Sequence, residues 1–293
     1  MKRLPPTSLR AYQERLLQHF GHQHWWPARS RLEVMLGAVL TQNTAWSNVE
    51  LALQQLRRRG WLSYRALQAV SAEELGPVIR SSGYWRQKAV RVKALMAWLD
   101  SACGGDLRKL ARRPAEVLRR QLLAIPGIGR ETADSILLYA FAKPVFVVDA
   151  YTHRIFSRHR LSLYASPGKK APDYDALRQA VEAELPGGTA AFILGETIAQ
   201  TSGRSRGLQN RMEAEIESSN AEAGSDRKPR PSAYDFAFEQ PRNSTVNTAD
   251  LYNELHALLV MTAKQYCRRR EPDCAACPLR DWLPRPDRMR VQA

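Results

Sequence analysis

No apolar run in this sequence approaches the length of a membrane span. The opening stretch MKRLPPTSLR is basic but lacks the apolar centre of a secretion signal. A cytoplasmic, nucleoid-associated protein is the expectation. Cysteine is scarce, with four in 293 residues, and a reducing cytoplasm disfavours their pairing as disulfides. Acidic residues are also in deficit: 29 Asp and Glu against 44 Lys and Arg leave a formal charge of +15 and a pI near 10.0. An excess of that size makes a polyanion the leading partner, because each neutralised phosphate releases counterions. A basic protein with no nucleic-acid role is the competing reading, and motifs have to separate the two.

Alternating strand patterns are missing as well, apart from the short VFVV at 145–148. Helical periodicity takes their place. Leu32, Met35, Leu36, Val39 and Leu40 fall at i, i+3, i+4, i+7 and i+8, and the set Val49, Ala52, Leu53, Leu56 begins the same way. So do Val92, Leu95, Met96 and Leu99, then Ala133, Ile136, Leu137 and Ala140, and, more loosely, Leu251, Leu255, Leu258 and Leu259. The expected fold class is all-α, about ten helices joined by short turns. Residues 203–248 break the pattern. Seven basic and seven acidic residues lie between Gly203 and Thr245, with too little apolar surface to bury, so a flexible insertion is expected there.

In IPGIGRETADSI, residues 125–136, Pro126, Gly127 and Gly129 predict a tight turn between two helices. Glycines permit positive φ and close backbone approach, and the second helix starts with N–H groups that suit a phosphate. A G-x-G alone is weak, since helix–helix turns contain it for steric reasons. The longer stretch LLAIPGIGRETADSILLYAFAKPVFVVDAYTHRIF resembles the helix-hairpin-helix, Gly/Pro-rich loop and aspartate of the endonuclease III superfamily of DNA glycosylases. HWWPARSRLEVMLGAVLTQNTAWSNV and SGYWRQKAVRVKAL extend the resemblance, most of all to the 3-methyladenine DNA glycosylase III branch, over roughly residues 20–200 and again from about 250.

The resemblance implies a two-lobed fold, with a helical domain at 30–150 ending in the hairpin and a second one made of 1–29 plus 151–293. It also implies a monomer acting on double-stranded DNA that carries a damaged base. Pro126, Gly127, Ile128, Gly129 and Arg130 would grip the backbone, and Gln42 or Asn43 in LTQNT would fill the gap left by a flipped base, a plain helix-end polar pair being the alternative. Lyase-active members carry a lysine two residues after the second hairpin glycine, with the family's aspartate eighteen further on; these positions are Glu131 and Asp149. Asp149 would stabilise the oxocarbenium-like sugar as the base leaves, and it also reads as a helix N-cap. Glu131 cannot form a Schiff base. A glycosylase without lyase activity is therefore expected, Lys143 being the nearest amine if one acts. Trp25, Trp26, Trp46 and Glu131 would line the base pocket, with alkylated, cationic purines favoured by cation–π attraction; core packing is the plain alternative for each tryptophan. Tyr151, Arg154, Arg86 and Lys88 would meet phosphate or pocket, or merely solvate a surface.

The tail at 267–283 places Cys267, Cys274 and Cys277 in the C-x6-C-x2-C spacing that begins the superfamily's [4Fe–4S] loop, but the fourth cysteine position is Leu283. Two readings stay open: a three-cysteine cluster with an outside ligand, or a degenerate loop kept for its fold and charge. Two rival functions stay open too, a glycosylase for mismatched or oxidised bases and a non-catalytic DNA-binding hairpin protein.

Overall fold

The computed structural model describes residues 8–23, 25–26, 28–164, 171–185 and 248–284. Twelve α-helices occur among them: α1 (Leu9–Phe20), α2 (Arg31–Leu40), α3 (Trp46–Arg58), α4 (Tyr64–Ala69), α5 (Ala72–Val78), α6 (Trp85–Cys103), α7 (Leu107–Ala111), α8 (Ala115–Leu123), α9 (Arg130–Ser135), α10 (Ala150–His159), α11 (Tyr174–Glu184) and α12 (Thr248–Gln265). A π-helical turn, Ile136–Ala140, continues α9. The expected insertion lies outside the described residues except for Thr248, which opens α12.

Local chemistry starts these helices where the chain needs them. Ser8, Ser30, Ser63 and Ser71 each accept a hydrogen bond from a backbone N–H of the first turn, and Glu74 answers Ser71 in a reciprocal capping box. Packing then decides which face turns inward. Every residue that sets the helical periodicity, from Leu32 to Leu259, is buried. At about 1.5–3 kcal/mol for each large apolar side chain removed from water, this face outweighs helix propensity.

The VFVV segment forms no strand among the described residues. Its four side chains are buried. Two of its backbone donors go to α11 instead: Phe146 N–H donates to Glu182 Oε1 at 2.9 Å and Val148 N–H to the Tyr174 hydroxyl at 3.4 Å. A buried backbone must be satisfied, and here side chains of a helix do what a neighbouring strand would. The segment leads straight into Asp149. Nearby, Arg119 on α8 makes a bidentate pair with fully buried Asp134 on α9, at 2.7 and 3.0 Å, and reaches Asp175 on α11 at 2.6 Å. These fork contacts lock the hairpin helices to α11.

Candidate active site and hairpin

Between α8 and α9 the chain turns through Pro126, Gly127, Ile128 and Gly129. Ile128 is buried and anchors the turn, while Pro126, Gly127, Gly129 and Arg130 face solvent. Gly127 has φ +84, and a Cβ there would lie 2.6 Å from Arg91 Cγ and Nε. Arg91, which the sequence pattern did not single out, lies across the turn and donates to Gln42 Oε1. Gln42 Nε2 in turn donates to Gly127 O at 3.1 Å and to Thr132 Oγ1 at 2.9 Å. Gln42 is thus a brace between the end of α2 and the hairpin, whereas Asn43 beside it is exposed, with φ 54. Arg130 is paired rather than free: its guanidinium meets Asp173 Oδ1 at 2.7 Å and Asp175 Oδ2 at 3.2 Å. No side chain caps the start of α9.

Asp149 is the N-cap of α10. Its Oδ1 accepts from Thr152 N at 2.7 Å and from Thr152 Oγ1 at 2.9 Å, which is the cap reading of the sequence. Its Oδ2 faces His256 Nε2 at 3.4 Å. That separation is within ion-pair range, yet the imidazole nitrogen is not aligned for a hydrogen bond. On the far side of the ring, His256 Nδ1 lies 2.5 Å from the buried Tyr139 hydroxyl. Burial pushes the Asp149 carboxyl up, but His256 and the Thr152 donors outweigh it, and the net position is below the ordinary carboxylate value. Glu131, in the first turn of α9, behaves oppositely. Its side chain is exposed to water, yet desolvation by the neighbouring protein, reinforced by the Asp149 charge and opposed by His256, pushes its carboxyl up to about 7. Two carboxyl groups in one site are driven apart, which is how acid and base roles become separable.

Aromatic rings extend from this point. Trp26 packs on Tyr139 with centroids 4.9 Å apart and meets Trp46 edge to face at 5.0 Å; Trp25 lies 6.3 Å from Trp26. All three tryptophans are half-buried. Gly37 on α2 lets Trp26 approach, since a Cβ there would sit 3.3 Å from the indole. The indole N–H groups of Trp25 and Trp26 are buried without a hydrogen-bond partner, whereas Trp46 Nε1 donates to Glu50 at 2.8 Å. Lys264 Nζ stands 5.7 Å from the Trp25 ring centre.

Two of the lysines named from the sequence bind backbone carbonyls within the protein. Lys88 is 1% exposed and donates to Leu40 O at 2.8 Å and Ser82 O at 2.5 Å, which corrects the expectation of a phosphate or pocket contact: its ammonium satisfies helix-end carbonyls inside the core. Lys143 Nζ donates to Ala111 O at 2.8 Å. Arg86 covers the Trp85 ring at 4.2 Å, and Arg154 covers Tyr151 at 5.1 Å.

In the tail, Cys267 and Cys277 are buried and Cys274 is half-buried. Burial, relieved by the Leu279 backbone and reinforced by Cys267, Cys274 and Asp273, pushes the Cys277 thiol up to about 11. Arg158 donates to Cys267 Sγ at 3.2 Å and to Arg268 O at 2.8 Å. The Leu283 side chain is buried and apolar, and Cys103 belongs to α6, where its thiol donates to Leu99 O at 3.1 Å. Among the described residues no three His, Cys, Asp or Glu side chains are grouped to hold a metal. A four-thiolate cluster does not fit this donor set.

A family model for HhH-GPD superfamily base excision DNA repair proteins matches residues 36–182, half of the chain. The chain belongs to the HhH-GPD superfamily. This HhH-GPD protein is 42% identical over 173 residues to a provisionally named DNA repair glycosylase of Methanocaldococcus jannaschii, covering 58% of the chain and 76% of that relative. It is 35% identical over 128 residues to an endonuclease III of Thermotoga maritima, covering 43% of the chain and 54% of the relative. Among solved structures, the 3-methyladenine DNA glycosylase of Helicobacter pylori bound to 1,N6-ethenoadenine superposes with a TM-score of 0.56 at 25% identity, over 88% of this chain and 94% of that one. A non-covalent endonuclease III–DNA complex superposes with a TM-score of 0.64 at 18% identity over 97% of each chain, and carries the fold alone. The all-α, helix-hairpin-helix glycosylase fold expected from the sequence is the fold present.

Proposed function

We propose that this HhH-GPD protein is a monofunctional DNA N-glycosylase that removes alkylated purines from duplex DNA as a monomer and leaves the abasic strand intact. The observation that carries the reading is the pairing of an oriented, ionised Asp149 with a carboxylate, Glu131, at the place where lyase-active relatives have an amine. An anionic Asp149 stabilises the positive charge that grows on the sugar as the base departs. Electron-rich faces of Trp25, Trp26 and Trp46 attract a cationic, alkylated base, and Glu131 in its ionised form adds to that preference. The hairpin 126–130 grips the phosphates, and Asn43, exposed where Gln42 is engaged, fills the space of the flipped nucleotide. Resemblance to a 3-methyladenine glycosylase supports the substrate class.

The test is chromatographic detection of free bases from dimethyl sulfate-treated duplex DNA. Release of methylated adenine by the wild type and its loss in Asp149→Asn, with duplex binding retained, is the expected result. Release only from mismatched or oxidised duplexes would replace the substrate class, and no release from any of them would leave a DNA-binding hairpin protein. Borohydride trapping of an enzyme–DNA adduct would refute the absence of a lyase step.

A further inference from the structure

Asp149 has one oxygen committed and one available. Oδ1 is held by both Thr152 donors, so the oxygen left to face the sugar or an attacking water is Oδ2. Only His256 among the described side chains has a titratable nitrogen within ion-pair distance of it. His256 sits on α12, which α1, α10 and the π-helical turn all pack against. The charged or titratable groups facing it are Tyr139 from the π-helical turn, Asp149 from the start of α10 and Glu131 from α9, and the Phe146 ring stands 6.4 Å from the imidazole centre.

The tautomer follows from the neighbours. An ionised carboxylate only accepts, so the imidazole nitrogen facing Asp149 Oδ2 is the one that carries the hydrogen, which leaves Nδ1 to accept from the buried Tyr139 hydroxyl. In that arrangement Nε2–H faces Asp149 Oδ2 and Nδ1 faces the Tyr139 hydroxyl. The 3.4 Å separation and poor alignment leave the carboxylate lone pairs unclaimed, while the N–H dipole still favours the anion.

We propose that Tyr139 and His256 form a positioning relay for Asp149, in which Tyr139 fixes the imidazole tautomer and His256 presents Nε2–H to Oδ2, the oxygen that the Thr152 cap leaves uncommitted. Trp26, packed on Tyr139, joins the relay to the aromatic wall. The inference rests on the glycosylase reading above.

Single-turnover release of methylated bases from dimethyl sulfate-treated duplex is measured against pH for the full chain and for His256→Leu, His256→Gln and Tyr139→Phe. Loss of the Nε2–H lets burial raise the Asp149 carboxyl, so the acidic limb of the rate profile moves to higher pH. His256→Leu is expected to show that movement and a fall of about tenfold or more at neutral pH. His256→Gln, whose side-chain amide replaces the Nε2–H, keeps most of the rate and a limb close to wild type. Tyr139→Phe moves the limb in the same direction as His256→Leu, by less. Melting temperature and binding to an abasic-analogue duplex track folding; if His256→Leu fails to fold, the Gln and Phe variants carry the test. A limb unmoved in both His256→Leu and Tyr139→Phe, or a glutamine variant no better than leucine, overturns the relay. Base release by the wild type with those results sinks the relay alone; no release by the wild type from methylated, mismatched or oxidised duplex sinks the glycosylase reading as well.

Discussion

Replacing Gly127 by alanine tests whether the hairpin is held in shape by the Arg91–Gln42 brace. The backbone has φ +84 at this residue, and placing an L side chain there costs about 1 kcal/mol. The new methyl group would lie 2.6 Å from Arg91 Cγ and Nε and 2.7 Å from Cδ, so that side chain must swing away. In moving, it gives up its charged hydrogen bond to Gln42 Oε1, worth about 1 kcal/mol where water partly reaches the pair. The sum is about 2 kcal/mol, or a fall in Tm of roughly 3 °C for a chain of this size. Gly129 is the internal control. Its φ is −87 and a Cβ meets nothing within 4 Å, so Gly129→Ala costs under about 1 kcal/mol, the ordinary difference at an N-cap. Thermal melts of both variants give the comparison, and fluorescence anisotropy with a labelled abasic-analogue duplex gives the binding. The expected pattern is a stability loss confined to Gly127→Ala, with Gly129→Ala stable but weaker on DNA because its methyl group stands where a phosphate approaches. Equal melting of the two variants would refute the brace, and a Gly129→Ala protein with unchanged affinity would refute the close approach.

Three further outcomes are expected. Glu131 is pushed up to about 7, so it passes from neutral to anionic as pH rises through that value, and the preference for charged over neutral lesions rises with it; Glu131→Gln flattens the dependence, and an unchanged pH profile of the ratio would remove Glu131 from base selection. Glu254 is buried, with a carboxyl raised from 4.5 to about 7 mainly by burial, so its folded form holds the proton more tightly than the unfolded chain does. Its favourable contribution is present at low pH and is lost as pH rises from 4.5 to 7, a window worth at most about 3 kcal/mol and reduced by the His22 imidazole 3.1 Å away. Denaturant melts of Glu254→Gln should thus gain on wild type across that interval, and parallel curves would contradict it. Anaerobically purified protein is expected to lack the visible absorbance of an iron–sulfur protein, because Leu283 stands where a fourth thiolate would be required; stoichiometric iron would show that another residue completes the set.

The helices were legible because burial imposes a 3.6-residue period on the sequence, and the positions from Leu32 to Leu259 that carry that period are those the core contains. The N-cap role of Asp149 was legible too, since Asp149 and Thr152 stand three apart at the start of a helix. What could not be read is partnership between distant charges. Lys88 looks like any surface lysine until α2 delivers the Leu40 carbonyl to it. Arg130 looks free until α11 brings Asp173 and Asp175 alongside. His256 carries no local signal at all: it stands 107 residues beyond Asp149 on a helix whose pattern speaks only of packing.

That difference has a physical root. Periodicity is written within one helix and survives in any tertiary context, whereas a site is assembled from helix ends and single side chains that meet through packing. In this protein the meeting point is α12. Its Glu254 accepts from Gln23 N at 2.8 Å and so tethers the backbone near the tryptophans; its His256 reaches Asp149; and its Lys264 lies over Trp25. One helix therefore fixes the aromatic wall and the carboxylate relative to each other. A small rotation of α12 would disturb both together, so substitutions along it that leave the fold intact should alter base recognition and bond cleavage in step rather than separately.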